Sequence, residues 1–298
     1  MMRSSPPASR GRIITWDDAH LVSSFDKPSR SVTYHLYTLW LFNRSDIKTI
    51  ILPQTTFAIS ATLAGPTVSA ALGPSTGLGQ LLTRVNKPWR PLPSQRLSIS
   101  EAFWLRIIWV PVACIIAYPL GGLLPSLWMV CASMLHDDSG LLNRYTMAKN
   151  FCNSIGITCF SFGATIVLGG LSASELTARA WTWIAITAAI VLTTVHVQDL
   201  ADVVGDRACG RLTVPIVWGE AAARLTAAAG VVMWSLLCPW FWQIRSYAVY
   251  GAVMTGALAI CIAMLPQRSE RADKIAWKLW CGWMAILYLL PAISIVSS

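Results

Sequence analysis

The chain has 298 residues, of which 55% are hydrophobic and only 12% charged, and its mean hydropathy is +0.54. A soluble domain is about one quarter charged, so this balance describes a protein that faces lipid and leaves no soluble domain of useful size. The formal net charge of +9 does not argue for a nucleic acid partner, because the basic residues scatter among short loops instead of forming a stripe or patch.

Residues 1–45 read as a polar N-terminal tail with Arg3, Arg10, Arg12, Lys27 and Arg30. They lack the charged, apolar, cleavage-site order of a secretory signal peptide, so the tail is expected to stay untranslocated. From residue 46 to 298 the sequence reads as one transmembrane helical domain. At about twenty residues per crossing, candidate spans fall near 47–72, 103–119, 121–136, 151–171, 179–198, 224–242, 246–265 and 276–296. The expected fold is all-α, a polytopic transmembrane helix bundle of about eight spans. Breaks such as Gly65-Pro66 and Pro119 to Gly122 are tolerated where neighbouring helices cover the freed backbone groups. Seven of the eight cysteines lie in or beside apolar stretches with no metal-ligand spacing and are expected to be buried thiols.

The loops alternate in charge. Arg84, Lys87, Arg90 and Arg96 follow the first span, Arg144 and Lys149 the third, Arg207 and Arg211 the fifth, and Arg268, Arg271 and Lys274 the seventh. The positive-inside rule places these four loops on the cytosolic side. A single crossing at 47–72 would then put the basic tail on the opposite side, so an irregularity is expected between Ile47 and Asn86: a re-entrant segment or a missing span.

The most informative stretch is QDLADVVGDRACGRLTVPIVWGE, residues 198–220. Asp199, Asp202 and Asp206 recur at i, i+3 and i+7 at the end of a span, along one face of a helix. Carboxylates so spaced repel one another unless a cation sits among them, and hard oxygen donors beside a phosphate substrate suit magnesium. Arg207 and Arg211 suit diphosphate oxygens, because guanidinium forks make paired charge-assisted hydrogen bonds. The plainer account is a solvated helix end with mixed charges. It fits poorly with three of the chain's ten aspartates gathered at one span terminus, where carboxylates are functional candidates by default.

Two further clusters are expected on the same side. NKPWRPLPSQR, residues 86–96, is a proline-stiffened basic loop with Lys87, Arg90 and Arg96. DDSGLLNRYTMAKNFCN, residues 137–153, contains Asp137, Asp138, Lys149, Asn150 and Asn153. A capped turn entering the next span explains much of the latter, with Lys149 and Asn153 the residues most suggestive of function. Asp137 and Asp138 are secondary candidates for a metal.

These stretches, with YHLYTLWLFNRSDIKTIILPQTTFAI and KNFCNSIG, together resemble the UbiA superfamily in the form common in fungal secondary metabolism. The resemblance runs from about Tyr34 to the C-terminus. It implies a nine-helix membrane enzyme in which two aspartate-rich motifs hold magnesium and an isoprenyl diphosphate. Asp199, Asp202 and Asp206 correspond to the second motif, as catalytic and metal-binding residues. Asn86, Lys87, Pro88, Arg90 and Pro91 correspond to the tail of the first. Diphosphate binding is expected from Asn86, Lys87, Arg90, Lys149, Asn153, Arg207 and Arg211.

The family usually carries an acidic pair just before Asn-Lys-Pro, where this chain has Gly79 to Val85, with no carboxylate between Asp46 and Glu101. Loss of about 25 residues, one crossing and its flank, would explain the missing acids, the span count and the tail's charge together. The resemblance implies a prenyltransferase using farnesyl or a similar diphosphate, with an aromatic acceptor, in the endoplasmic reticulum and with its site on the cytosolic face. The alternatives are a terpene cyclase and a non-catalytic remnant or incomplete gene model.

Overall fold

A helix starts where its orphan amides find acceptors, and Ser98 supplies one. Its hydroxyl accepts the Glu101 amide at 3.2 Å while the Glu101 carboxylate accepts the Ser98 amide at 2.7 Å, a reciprocal box that opens the first long helix. The computed structural model describes residues 31–43, 53–54, 56–57, 91, 94–137, 145–170, 172–208, 210–265 and 269–296. Two units divide the chain, Met1–Tyr37 and Thr38–Ser298. Of the first, residues 31–37 are described and are mostly helical; the second carries the long helices.

In chain order the helices are α1 Val32–Asn43, α2 Ile99–Ala117, α3 Leu123–Asp137, α4 Ala148–Gly169, α5 Ala178–Thr194, α6 Val197–Leu200, α7 Val203–Ala208, α8 Val214–Val217, α9 Glu220–Phe241, α10 Tyr247–Met264 and α11 Glu270–Val296. A short 3₁₀ turn, Ala173–Glu175, precedes α5. No strand occurs among the described residues. Helix α1 falls within the stretch whose composition reads as a polar tail, because the apolar run around Leu36, Leu39 and Trp40 interrupts that polarity.

Among the described residues six helices are long and apolar enough to cross a bilayer, and Leu123–Met134 is a shorter apolar helix. These match seven of the expected spans. The eighth, at 47–72, lies outside the described residues except for Pro53, Gln54, Thr56 and Phe57, which are helical. The irregularity expected between Ile47 and Asn86 lies outside them as well.

Helices α5, α9, α10 and α11 build the core, where Ile190, Val191, Ala227, Val231, Val253, Ala257, Ile260 and Leu287 are buried. Close approach of α5 and α9 requires a glycine: a Cβ at Gly230 would stand 2.8 Å from Thr194 Cγ2. Polar links across the apolar core add specificity. Trp280 Nε1 donates to Thr194 Oγ1 at 3.0 Å and Trp283 Nε1 to Ser235 Oγ at 2.9 Å. Outward residues such as Ile115 and Ile262, both 71% exposed, fit hydrocarbon as solvent and are a liability in water.

One end of this bundle is polar. Arg224 of α9 donates to the Asp273 carboxylate of α11 at 2.5 and 2.9 Å, and to the carbonyl of Met264, which ends α10, at 2.7 Å. The starts of α9 and α11 and the end of α10 are thereby fixed to one another.

Candidate active site

The chain leaves α5 in two short turns, α6 and α7, instead of one continuous rod. The break falls at residues 201–202, so the turn, and not one helical face, sets how the three aspartates are disposed. Asp199 and Asp206 are both fully buried and converge on one cation, the Lys149 ammonium from the first turn of α4, at 2.6 and 3.2 Å. Asp202, between them, is only half-buried. Arg211 Nη1 approaches Asp206 Oδ1 at 3.7 Å, completing a group of two carboxylates and two cations. The turn is held by backbone bonds from the Asp206 amide to the Asp202 carbonyl, 2.9 Å, and from the Arg211 amide to the Asp206 carbonyl, 3.0 Å.

A second layer holds Lys149 from behind. The neighbouring Asn150, itself fully buried, donates through Nδ2 to the Leu192 carbonyl at 3.0 Å and lies 3.3 Å from His196 Nδ1. His196 Nε2 is 3.1 Å from the Ala223 carbonyl, which assigns the ring proton to Nε2 and leaves Nδ1 to accept from Asn150. This chain of contacts joins α4, the end of α5 and the start of α9 beneath the Lys149–Asp199 pair.

The expected site residues are therefore brought together in part. Lys149, Asp199, Asp206 and Arg211 share one cluster. Asn153, one turn further along α4, has a side-chain nitrogen that donates to no described residue. Arg207 is exposed. Asp137 is the last residue of α3. Asn86, Lys87, Arg90 and Asp138 lie outside the described residues. His196 and Asn150 carry more of the architecture than the sequence suggested. The readable signal was that His196 stands three residues before Asp199 and Asn150 one after Lys149, so each shares a turn with a charged member.

The donor set suits a small hard cation. Asp199 Oδ2 and Asp206 Oδ1 are buried and accept no hydrogen bond from a described residue, and carboxylate oxygens with waters and substrate phosphates are the usual magnesium environment. No three potential ligands converge among the described residues, so a metal here would take few protein oxygens and fill its shell from water and a bound anion.

The chain is similar to several known proteins. Somaliensene A/B synthase of Streptomyces somaliensis is 29% identical over 86% of this chain and 92% of its own length. The fumagillin beta-trans-bergamotene synthase of Aspergillus fumigatus is 26% identical over 86% of this chain and 92% of its own. The structure of a UbiA homologue from Archaeoglobus fulgidus bound to GPP and Mg2+ superposes with a TM-score of 0.58 at 12% identity, covering 88% of this chain and all of that one. A model of the UbiA prenyltransferase family matches residues 82–287, more than half of the sequence. The chain belongs to the UbiA prenyltransferase family.

Proposed function

We propose that this chain is a membrane-embedded, magnesium-dependent terpene cyclase. It ionises an isoprenyl diphosphate such as farnesyl or geranylgeranyl diphosphate and closes the resulting cation into a hydrocarbon. The carrying observation is its similarity, over nearly the full length of both partners, to two proteins named as terpene synthases. The resemblance read from the sequence implies prenyl transfer; this similarity favours cyclisation, which needs no acceptor pocket. Magnesium is supported by the solved homologue holding Mg2+ with GPP and by the buried carboxylate oxygens described above. The basic loops support a site facing the cytosol, and the family resemblance alone suggests the endoplasmic reticulum as the membrane.

Asp199 and Asp206, with Asp202 at the rim, would hold the metal. Bound there, magnesium supplies Lewis acidity toward the diphosphate oxygens. The rest of the reaction falls to this chain's own groups. Lys149 and Arg211 offer an ammonium and a guanidinium where negative charge grows as the allylic C–O bond breaks and its electron pair leaves with the diphosphate. Charges already in place act most strongly at that moment. Asn153, facing no described partner, is a further donor for the leaving oxygens. The hydrocarbon lies between helices whose cores exclude water. Loss of a proton from the cyclised cation ends the cycle.

The test is product analysis by gas chromatography and mass spectrometry. Microsomes carrying this chain would receive farnesyl or geranylgeranyl diphosphate, with and without phenolic acceptors. Acceptor-independent hydrocarbon is expected. An acceptor-dependent product would replace cyclisation by prenyl transfer. No turnover from a folded chain would favour the non-catalytic reading.

A further inference from the structure

Asp199 and Asp206 bring two negative charges into a buried cluster, and Lys149 and Arg211 bring two positive ones, at 2.6, 3.2 and 3.7 Å. The four buried groups sum to zero, and the half-buried Asp202 adds one negative charge that water screens. A divalent cation entering would therefore gain little net Coulomb attraction, yet it would have to shed water, which magnesium does reluctantly. The cation that stands in its way is Lys149, because its ammonium touches both carboxylates while Arg211 reaches only Asp206 and at greater distance.

We propose that Lys149 is a resident counter-cation that keeps this site weak for divalent metal until a diphosphate arrives, so that metal and diphosphate load together. On loading, the ammonium exchanges the two carboxylates for diphosphate oxygens. This rests on the reading of the site as a diphosphate-binding one. The local structure suits such an exchange. The backbone beside Lys149 is pinned, since Asn150 is tied to the Leu192 carbonyl and to His196. The motion is therefore confined to a flexible four-carbon stem ending in rotatable donors. An arriving diphosphate adds the negative charge the neutral cluster lacks and gives the ammonium somewhere to go. Metal binding is thereby coupled to substrate binding, and the carboxylates stay neutralised between turnovers.

The experiment measures metal directly, without turnover. Purified full-length chain is dialysed against Mn2+ at fixed free concentration, with or without inorganic diphosphate, and bound Mn2+ is counted. The wild type should bind Mn2+ about a hundredfold more tightly when diphosphate is present. Lys149→Met should bind Mn2+ alone at least about a hundredfold more tightly than the wild type does, a lower bound for removing one repelling unit charge from a buried site. Lys149→Arg, which keeps the charge, should behave like the wild type, and Asp199→Asn in the Lys149→Met background should abolish the gain.

Wild type that binds Mn2+ equally well with and without diphosphate would overturn the proposal, as would a folded Lys149→Met that gains nothing. If Lys149→Met does not fold, the wild-type comparison decides alone. Wild type that binds no Mn2+ even with diphosphate would also overturn the proposed function. Tight binding to Mn2+ alone would sink only the coupling.

Discussion

Replacing Arg224 by Met separates structural charge from functional charge at the polar end of the bundle. Arg224 and Asp273 are only 2% and 3% exposed, and the guanidinium makes two bonds to that carboxylate and one to the Met264 carbonyl. The substitution leaves an uncompensated carboxylate out of water and frees a carbonyl that ends α10. Removing one partner of a buried pair costs about 3–5 kcal/mol, whereas replacing both by apolar groups of similar size is nearly neutral. Arg224→Met should therefore lower the unfolding midpoint in detergent by several degrees. Arg224→Met combined with Asp273→Leu should recover most of that loss. Lys274→Ala, which breaks the exposed pair with Glu270 on the same helix, serves as the control and should be nearly silent. Thermal unfolding followed by tryptophan fluorescence reads all four proteins. An Arg224→Met no less stable than Lys274→Ala, or a double variant worse than the single, would refute the claim that burial makes this pair matter.

Gly230→Ala should cost about 1–3 kcal/mol by overpacking. The clashing Thr194 methyl cannot rotate away without breaking the hydroxyl's bonds to the Ile190 carbonyl and Trp280, and the same unfolding assay checks it. His196→Leu removes the acceptor for Asn150 and the bond to Ala223. Turnover should fall at least about tenfold with the fold retained, and Asn150→Leu should have the same effect without adding to it, as expected of neighbours in one network. Strictly additive losses would show that the two do not act through one another.

Hydropathy alone located the long helices because lipid demands apolar residues on nearly every outward position, and that demand is local in sequence. It placed their ends less well. The span expected at 276–296 begins at Glu270, since the charged turns of Glu270, Asp273 and Lys274 continue the helix beyond the hydrocarbon. The span expected at 103–119 begins at Ile99, because the Ser98–Glu101 box starts the helix ahead of the most apolar stretch. Within the candidate site, aspartate spacing marks the segment whose Asp199 and Asp206 meet Lys149. One straight helical face would group Asp202 with Asp199 and Asp206, but the chain breaks at residues 201–202, and Asp202 is half-buried while the other two are fully buried. That Lys149 meets Asp199 across fifty positions of sequence follows from the packing of α4 against α5, which no local pattern encodes. The same holds for Arg224 and Asp273.

The most direct measurement of the central claim is release of diphosphate from farnesyl and geranylgeranyl diphosphate by purified chain. It would be assayed with magnesium, with EDTA, and with Asp206→Asn in place of the wild type. The account predicts magnesium-dependent release that EDTA abolishes and that Asp206→Asn lowers by at least about a hundredfold, since the variant loses a charged ligand where negative charge develops. Release that persists in EDTA, or that is unchanged in a folded Asp206→Asn, would contradict it.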